Sequence, residues 1–255
     1  MLIPFTAGLQ REFNAAIGPW LCDLALQQPS ILGGPAYWSV TPVMGNAETE
    51  DSAVSIGFDA DTGYLGGTRQ RLASVVMAVP AELRLVRDME IFRYITLLCL
   101  LRQRELRLIS IWHPSYLSLL LDALPTSWQE LLADIGSGQC KHADALLPTV
   151  RAALKLHPLP RRANELRAAN PQEPETLWPH LKLISCWGDG SAGSAAAGLR
   201  KLFPHVMLQP KGLLATEALV TIPFAGWQPV AVRSHFFEFI DDAGAVHLVH
   251  ELRAG

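Results

Sequence analysis

The sequence predicts an α/β protein in which a mixed sheet is flanked by helices and followed by a C-terminal run of strands. Helical and strand patterns alternate through residues 89–112 and again through 181–209, which is typical of an α/β sheet. Residues 219–249 instead read as strand after strand, with a tight turn at Asp242-Ala-Gly244. We therefore expect a helix-flanked core with a twisted antiparallel or mixed sheet beside it.

The N-terminal part begins with a predicted helix over residues 7–27. Apolar residues recur at spacings of three and four from Leu9 to Leu24, and Thr6 is a suitable N-cap. Side chains from Tyr37 to Val43 alternate, which indicates a strand. The glycine-rich region after it, up to residue 67, favours loops with a short strand over 55–58.

The middle of the chain predicts a buried helix, a buried strand and then a series of shorter helices. The helix runs over 89–104 with Asp88 as its cap, and the strand runs over 107–112. Pro114 suits the first turn of the next helix. Ser127-Trp-Gln-Glu130 is a capping-box pattern for the one after it, which Gly136 would end. Short helices are predicted near 148–156 and 161–169.

Composition excludes several classes of function. The 255 residues carry a net charge of −3, which argues against a nucleic-acid surface built on a basic field. No signal peptide is recognised, and the longest apolar stretch is too short to span a membrane. The four cysteines are scattered without a C-x-x-C pair, so we expect a reducing, cytoplasmic location and no zinc site.

A glycine turn follows the predicted strand from Leu181 to Trp187 and opens a predicted helix. Glycines there let an anion approach the backbone, and the helix N-terminus offers unpaired N–H groups. Gly188, Gly190 and Gly193 also fit the dinucleotide fingerprint. The acidic residue that binds the ribose in that fingerprint is missing, because Gln209 occupies its place.

A hydroxyl stands beside a carboxylate at Thr216-Glu217, between a turn and the predicted strand 219–222. Such a pair can bond a phosphoryl oxygen and hold Mg²⁺, which prefers oxygen ligands. The alternative from the local sequence is a surface turn with a solvated glutamate.

Several segments, in order along the chain, resemble the auxin-responsive Gretchen Hagen 3 family of ATP-dependent acyl acid amido synthetases, within the adenylate-forming superfamily. The matching segments are Ile3-Pro-Phe-Thr6, Gly33-Gly-Pro-Ala-Tyr-Trp-Ser39, Leu108-Ile-Ser-Ile-Trp-His-Pro-Ser115, Leu177-Trp-Pro-His-Leu-Lys-Leu183, Leu213-Leu-Ala-Thr-Glu217 and Phe236-Phe-Glu-Phe239. The likeness is closer to bacterial members than to plant ones. It implies the layout of the superfamily's large N-terminal domain, as a single partial domain with a helical and α/β part over 1–180 and a nucleotide-side part over 181–255.

The resemblance implies the reaction, its cofactors and its site residues. A carboxylic acid would attack the α-phosphorus of ATP, and an amino-acid amine would then displace AMP to form an amide. Thr216 would bond the α-phosphate, and Glu217 would coordinate Mg²⁺. Gly190 and Ser191 would line the adenine and ribose side. The pocket for the acid would be bordered by Trp112, Phe236 and Phe237.

The sequence departs from the family in ways that leave its activity open. The family has a Ser/Thr/Gly-rich phosphate loop before its Ile-Pro-x-Thr segment and a later Tyr-Arg-x-Gly-Asp stretch, and neither is found in these 255 residues. Leu213 stands where an aromatic side chain would stack on adenine. We therefore expect a truncated enzyme with a partial site, a catalytically inactive binding module or gene fragment, or an acyl-CoA ligase. The acid, the amino acid and the oligomeric state are not specified by the sequence.

Overall fold

The computed structural model describes residues 6–40, 42, 76–215 and 218–253. The predicted strand over 55–58 and the Thr216-Glu217 pair lie outside these residues. The described α-helices are α1 (Ala7–Gln27), α2 (Met89–Arg102), α3 (Pro114–Asp122), α4 (Leu124–Ser137), α5 (Pro148–Ala153), α6 (Pro160–Arg167) and α7 (Gly193–Leu202). The described strands are β1 (Ala36–Trp38), β2 (Leu108–Ser110), β3 (Leu183–Cys186), β4 (Met207–Pro210), β5 (Glu238–Ile240) and β6 (Val246–Leu248).

Within the described residues, β1 to β4 form a parallel sheet in the order of the sequence. Each crossover between neighbouring strands contains at least one helix where it is described, as parallel pairing requires. The predicted α/β class is confirmed. The core sheet is parallel rather than mixed, and the antiparallel pairing is confined to the separate β5–β6 pair.

The two faces of the sheet bury different sets of helices. One face carries Tyr37, Ile109 and Ile184, which pack in the main hydrophobic cluster with α2, α3 and α4. The opposite face carries Leu108 and Leu183, which pack against α1 and against the segment from Leu219 to Ala231. Thr6 caps α1 as predicted, accepting a hydrogen bond from Leu9 N–H at 3.1 Å. No helix in the described part of the chain is long and apolar enough to cross a membrane.

Helix α2 lies at the centre of the main cluster and is apolar on nearly all sides, as a helix enclosed by other elements should be. The Asp88 carboxylate accepts hydrogen bonds from the N–H groups of Glu90 and Ile91, which confirms the predicted cap. At the other end, the Trp178 indole N–H donates to the Leu100 carbonyl at 2.9 Å. Helix ends buried in this way need such partners.

Two predicted boundaries of α4 are wrong. The helix begins at Leu124, so the Ser127 N–H bonds the Ala123 carbonyl inside the first turn and Ser127 is not the cap. Gly136 lies within the helix, whose last residue is Ser137 and whose C-cap is Gly138, in the left-handed conformation with φ of 74°. Two start signals compete here, because Pro125 suits the first turn of a helix as well as Ser127-Trp-Gln-Glu130 suits a capping box. The sequence prediction followed the capping box, and the helix follows the proline.

The C-terminal tail contains fewer strands than its sequence predicts. In the described residues before β5, the pairs Leu214–Leu219, Thr221–Val230 and Phe224–Trp227 form isolated antiparallel bridges instead of continuous strands. The predicted turn at 242–244 is confirmed, because Gly244 N–H donates to the Asp241 carbonyl at 2.9 Å. Turns recur too closely in this segment for longer ladders to form.

We expect Gly138→Ala to destabilise the protein by about 3 kcal/mol, because it combines backbone strain with overpacking. The backbone of Gly138 is left-handed, and an added Cβ would lie 2.4 Å from the carbonyl carbon of His157 and from the nitrogen of Pro158. Urea denaturation measures the change. The matched control is Gly198→Ala in α7, where nothing lies within 4 Å of the added Cβ; it should stabilise by about 0.5–1 kcal/mol. Equal effects of the two changes would contradict this account.

Candidate active site

The carboxyl ends of the parallel strands meet at one edge of the sheet. In open parallel sheets, ligands bind in the crevice outside this edge. The residues that follow the strands here are Ser39 after β1, Trp112 after β2, the glycine turn from Gly188 after β3, and Lys211 after β4.

A row of polar side chains crosses the face of the sheet that packs on α1. Ser110 of β2 pairs in register with Ser185 of β3, and Ser185 pairs with Gln209 of β4. Both serines are fully buried. The Ser185 hydroxyl has no hydrogen-bond partner among the described residues. Parallel strands buried on both faces are normally apolar throughout, so a row of this kind indicates a site for polar chemistry.

Lys211 lies two residues beyond Gln209 and therefore on the same face of the sheet. Its ammonium donates a hydrogen bond to the Ser110 hydroxyl at 2.7 Å. Three indole rings surround it, with their centroids 5.5 Å away for Trp20, 5.6 Å for Trp38 and 5.5 Å for Trp112. We call these three residues the tryptophan cage. At such distances an indole face attracts a cation.

The tryptophan cage is held in place by its own contacts. The Trp20 indole N–H donates to the side-chain oxygen of Gln209 at 2.8 Å. Trp20 and Trp38 meet edge to face, with centroids 5.8 Å apart and planes at 89°. Trp112 contacts Trp187 at 5.9 Å, at the ends of two neighbouring strands. Helix α1 and three strand ends therefore fix the position of one lysine.

A cavity of about 50 Å³ opens beside Lys211. Its described lining consists of Phe13, Ile17, Trp20, Trp38, Trp112, Lys211, Leu214, Leu219, Thr221, Ile222 and Pro223. Lys211 is the one charged side chain among these lining residues. An apolar pocket with a few convergent polar groups is the usual form of a small-molecule site.

The glycine turn adjoins this cavity region through Pro210. A Cβ added to Gly188 would lie 3.2 Å from the Pro210 ring, which is a tight contact that the ring would have to yield to by a few tenths of an ångström. Gly190 has φ of 55° and open space around it, and Ser191 is exposed. Helix α7 follows at Gly193 and has no side-chain cap. The Gly193 N–H donates to the Gly190 carbonyl, and the N–H groups that follow it in the first turn of α7 can bind an anionic group such as a phosphate.

The described neighbours of Thr216 and Glu217 lie at the cavity. Leu214 and Leu219 both line it and pair with each other, and the Ala215 N–H donates to the Ala218 carbonyl at 2.9 Å. Thr216 and Glu217 themselves are outside the described residues, and their assigned roles stay predictions. No group of three His, Cys, Asp or Glu side chains in the described ranges could hold a metal ion.

Of the three residues predicted to border the acid pocket, one lines the cavity and two do not. Trp112 belongs to the tryptophan cage and lines the cavity. Phe236 is 79% exposed, and Phe237 is partly buried against the His235 ring at 6.2 Å. His235 in turn meets Phe13 of the cavity wall edge to face at 5.9 Å. Phe237 thus connects to the cavity wall through one intermediate ring, and Phe236 faces solvent.

The geometry offers no activated cysteine at this edge. Cys186 ends β3, and burial raises the pKa of its thiol to about 11. It is therefore protonated at neutral pH and a poor nucleophile. His113 caps α3, because its side chain accepts a hydrogen bond from the Ser115 N–H. The arrangement suits the binding and positioning of charged groups.

The sequence did not predict Lys211, Trp20, Trp38 or the two serines as site residues. A signal was present, because Leu-Ile-Ser occurs both at 108–110 and at 183–185. A repeated serine at the end of two buried strands would have predicted the polar row.

A family model described as "GH3 family N-terminal domain" matches residues 2–208. The chain belongs to the GH3 family. Two solved structures share its fold. One is titled "GH3.15 acyl acid amido synthetase", with a TM-score of 0.73 and 16% sequence identity. The match covers 99% of this chain and 46% of the chain in that structure. The other is titled "AtGH3.15 acyl acid amido synthetase in complex with 2,4-DB", with a TM-score of 0.74 and 17% sequence identity. The match covers 100% of this chain and 47% of the chain in that structure.

The chain thus spans just under half the length of these two GH3 structures. At such identities the likeness shows the fold, and it agrees with the parallel core sheet described above. None of the curated proteins matches the sequence. The structure gives no support to the dinucleotide interpretation of the glycine turn. Gln209 stands where that fingerprint has an acidic residue, and its side-chain oxygen accepts a hydrogen bond from Trp20.

Proposed function

We propose that this chain takes part in ATP-dependent activation of a carboxylic acid, followed by amide formation with an amino acid. Membership of the GH3 family carries this proposal. The geometry supports it, because an apolar cavity with one ammonium group and a glycine turn at a helix N-terminus lie along one edge of the sheet. The matched GH3 structures are titled as acyl acid amido synthetases, and one was solved with 2,4-DB.

In this proposal each part of the edge has one task. Gly190 and Ser191 border the nucleotide, and the exposed turn leaves room for it. Thr216 bonds the α-phosphate, and Glu217 holds Mg²⁺. The positive charge of Mg²⁺ offsets the negative charge of the phosphates. One carboxylate is enough for such a role, since Mg²⁺ commonly takes one or two protein carboxylates together with phosphate oxygens. Trp112 borders the acid, with Phe237 behind the cavity wall.

Several finer statements stay predictions. These are the division of one domain into parts 1–180 and 181–255, the cytoplasmic location, and the pairing of ATP with Mg²⁺. The acceptor is also a prediction, because an acyl-CoA ligase would share the adenylation step and differ only in the second one. The alternative of an inactive binding module or gene fragment predicts binding of a small acid, of a partner or of nothing, without any adenylation.

ATP–pyrophosphate exchange with a panel of aliphatic and aromatic acids tests the proposal directly. We expect exchange that depends on both the acid and Mg²⁺. Amide formation with a mixture of amino acids, set against thioester formation with coenzyme A, then identifies the acceptor. Absence of exchange with every acid of the panel, from folded protein, would reject adenylation by this chain.

A further inference from the structure

We propose that a groove between the end of α2 and the start of α6 binds the phosphate group of a small molecule. Arg102 and Arg161 are its two binding side chains, and its volume is about 660 Å³. Small-molecule sites usually measure about 300–1,000 Å³. None of the described lining residues belongs to the candidate active site, so binding here does not depend on adenylation.

The groove carries more positive than negative charge. Its described lining includes four arginines and one glutamate. The Glu165 carboxylate pairs with Arg104 at 2.9 Å and with Arg162 at 3.0 Å. Arg102 and Arg161 have no carboxylate partner in the part of the chain that the structure describes. Two guanidinium charges therefore remain unpaired beside one groove, and such a charge distribution attracts anions.

Arg102 is the half-buried member of this pair. Its Nη2 donates a hydrogen bond to the His157 carbonyl at 2.8 Å. Its Nη1 is enclosed and has no hydrogen-bond partner among the described residues. Burial lowers the pKa of Arg102, because the protein atoms around it replace water that would solvate the charge. A partly desolvated cation gains more from a nearby anion than a fully hydrated one does.

Arg161 lies in the first turn of α6. This helix begins with Pro160, which has no N–H group, and it has no side-chain cap. The backbone N–H groups of Arg161 and Arg162 have no acceptor within the helix, since they belong to its first turn. The positive end of the helix adds to the attraction that the two unpaired side chains exert on an anion.

The wall of the groove is held in place before any ligand binds. Pro158 and Pro160 restrict the backbone on either side of Leu159. The Leu159 N–H donates to a carbonyl of α4 at 2.9 Å. The Arg162 guanidinium joins α6 to α2 by donating to the Leu101 carbonyl at 2.8 Å. A wall that is already ordered lowers the entropic cost of binding.

The number of unpaired charges selects the class of ligand. A phosphate monoester carries a charge of about −1.5 to −2 at pH 7, which matches two guanidinium groups. A carboxylate would neutralise only one of them. The planar guanidinium also presents two parallel N–H donors to phosphate oxygens.

Isothermal titration calorimetry with inorganic phosphate tests the site, and acetate at the same ionic strength is the comparison. We expect phosphate to bind the unmodified protein at least about tenfold more tightly than acetate, the size of one additional charge-assisted hydrogen bond. Tighter binding of ribose 5-phosphate than of phosphate would assign a phosphorylated metabolite, and equal binding would assign free phosphate. Equal binding of phosphate and acetate, or no binding of phosphate at millimolar concentrations, would overturn the proposal.

Variants assign the binding to the groove. Arg161 is exposed, so Arg161→Met should fold normally, and we expect it to weaken phosphate binding about tenfold. Arg102→Lys keeps the charge but loses the planar fork, so it should also lower the affinity. The matched control is Arg167→Met, which removes an exposed arginine from another side of α6 and should have no effect. A phosphate affinity unchanged in Arg161→Met would place the anion elsewhere and overturn the assignment.

Discussion

Replacing Glu217 by alanine is expected to lower the rate of ATP–pyrophosphate exchange by about a hundredfold to a thousandfold, the usual loss when one electrostatic contact to a transition state is removed. In the proposed site this carboxylate holds Mg²⁺ against the phosphates. Adenylation has no protein nucleophile to compensate for the loss, so charge neutralisation carries much of the rate. Exchange of labelled pyrophosphate into ATP, with saturating acid, measures the change.

Two controls separate the role of Glu217 from a general loss of charge. Glu238→Ala removes an exposed carboxylate from β5 and should leave the exchange rate unchanged. Raising the Mg²⁺ concentration should recover part of the activity of Glu217→Ala but should not change Glu238→Ala. A Glu217→Ala protein that exchanges pyrophosphate as fast as the unmodified one would refute the assignment of this residue.

Replacing Arg162 by methionine is expected to lower the free energy of unfolding by about 3–5 kcal/mol, as when one partner of a buried charged network is removed. Arg162 is 6% exposed. Its guanidinium donates to the carbonyls of Leu101 and Leu177 and pairs with the Glu165 carboxylate at 3.0 Å. Burial lowers the pKa of Arg162, and Glu165 partly offsets this.

The expected loss follows from the carbonyls that remain. Leu101 is in the last turn of α2, so its carbonyl has no partner within the helix. Without the guanidinium, two buried carbonyls lose their donor, at about 1–3 kcal/mol each. For a domain of this size the midpoint of thermal unfolding should fall by roughly 10 °C. Arg161→Met, at the exposed neighbouring position, is the matched control and should change the midpoint little.

Local signals in the sequence were sufficient for most of the helices. The predicted range of α1 agrees with the structure from Ala7 to Gln27, because a cap, a periodic apolar pattern and a following proline agree with one another. Asp88 and Pro114 marked helix starts for the same reason. The start of α4 was missed where Pro125 and Ser127 gave competing signals two residues apart.

The tail shows where local pattern is not enough. Residues 219–232 have the composition of strands, but pairing depends on which segment lies alongside. Among the described residues they form only single bridges before β5. Strand propensity mainly measures how well a side chain fits a half-buried pleated surface. Where the surface is interrupted by turns, the same residues remain extended without a ladder.

The sequence by itself determined the α/β class, the glycine turn after β3 and the likeness to the GH3 family, because each depends on residues that are close together in the chain. Only the tertiary structure decided that Lys211 stands among Trp20, Trp38 and Trp112 over the buried serine row. Those residues come from one helix and the ends of three strands, and no periodicity along the chain connects them. Parallel pairing brings the strand ends to one edge, and packing of α1 on that face completes the cage.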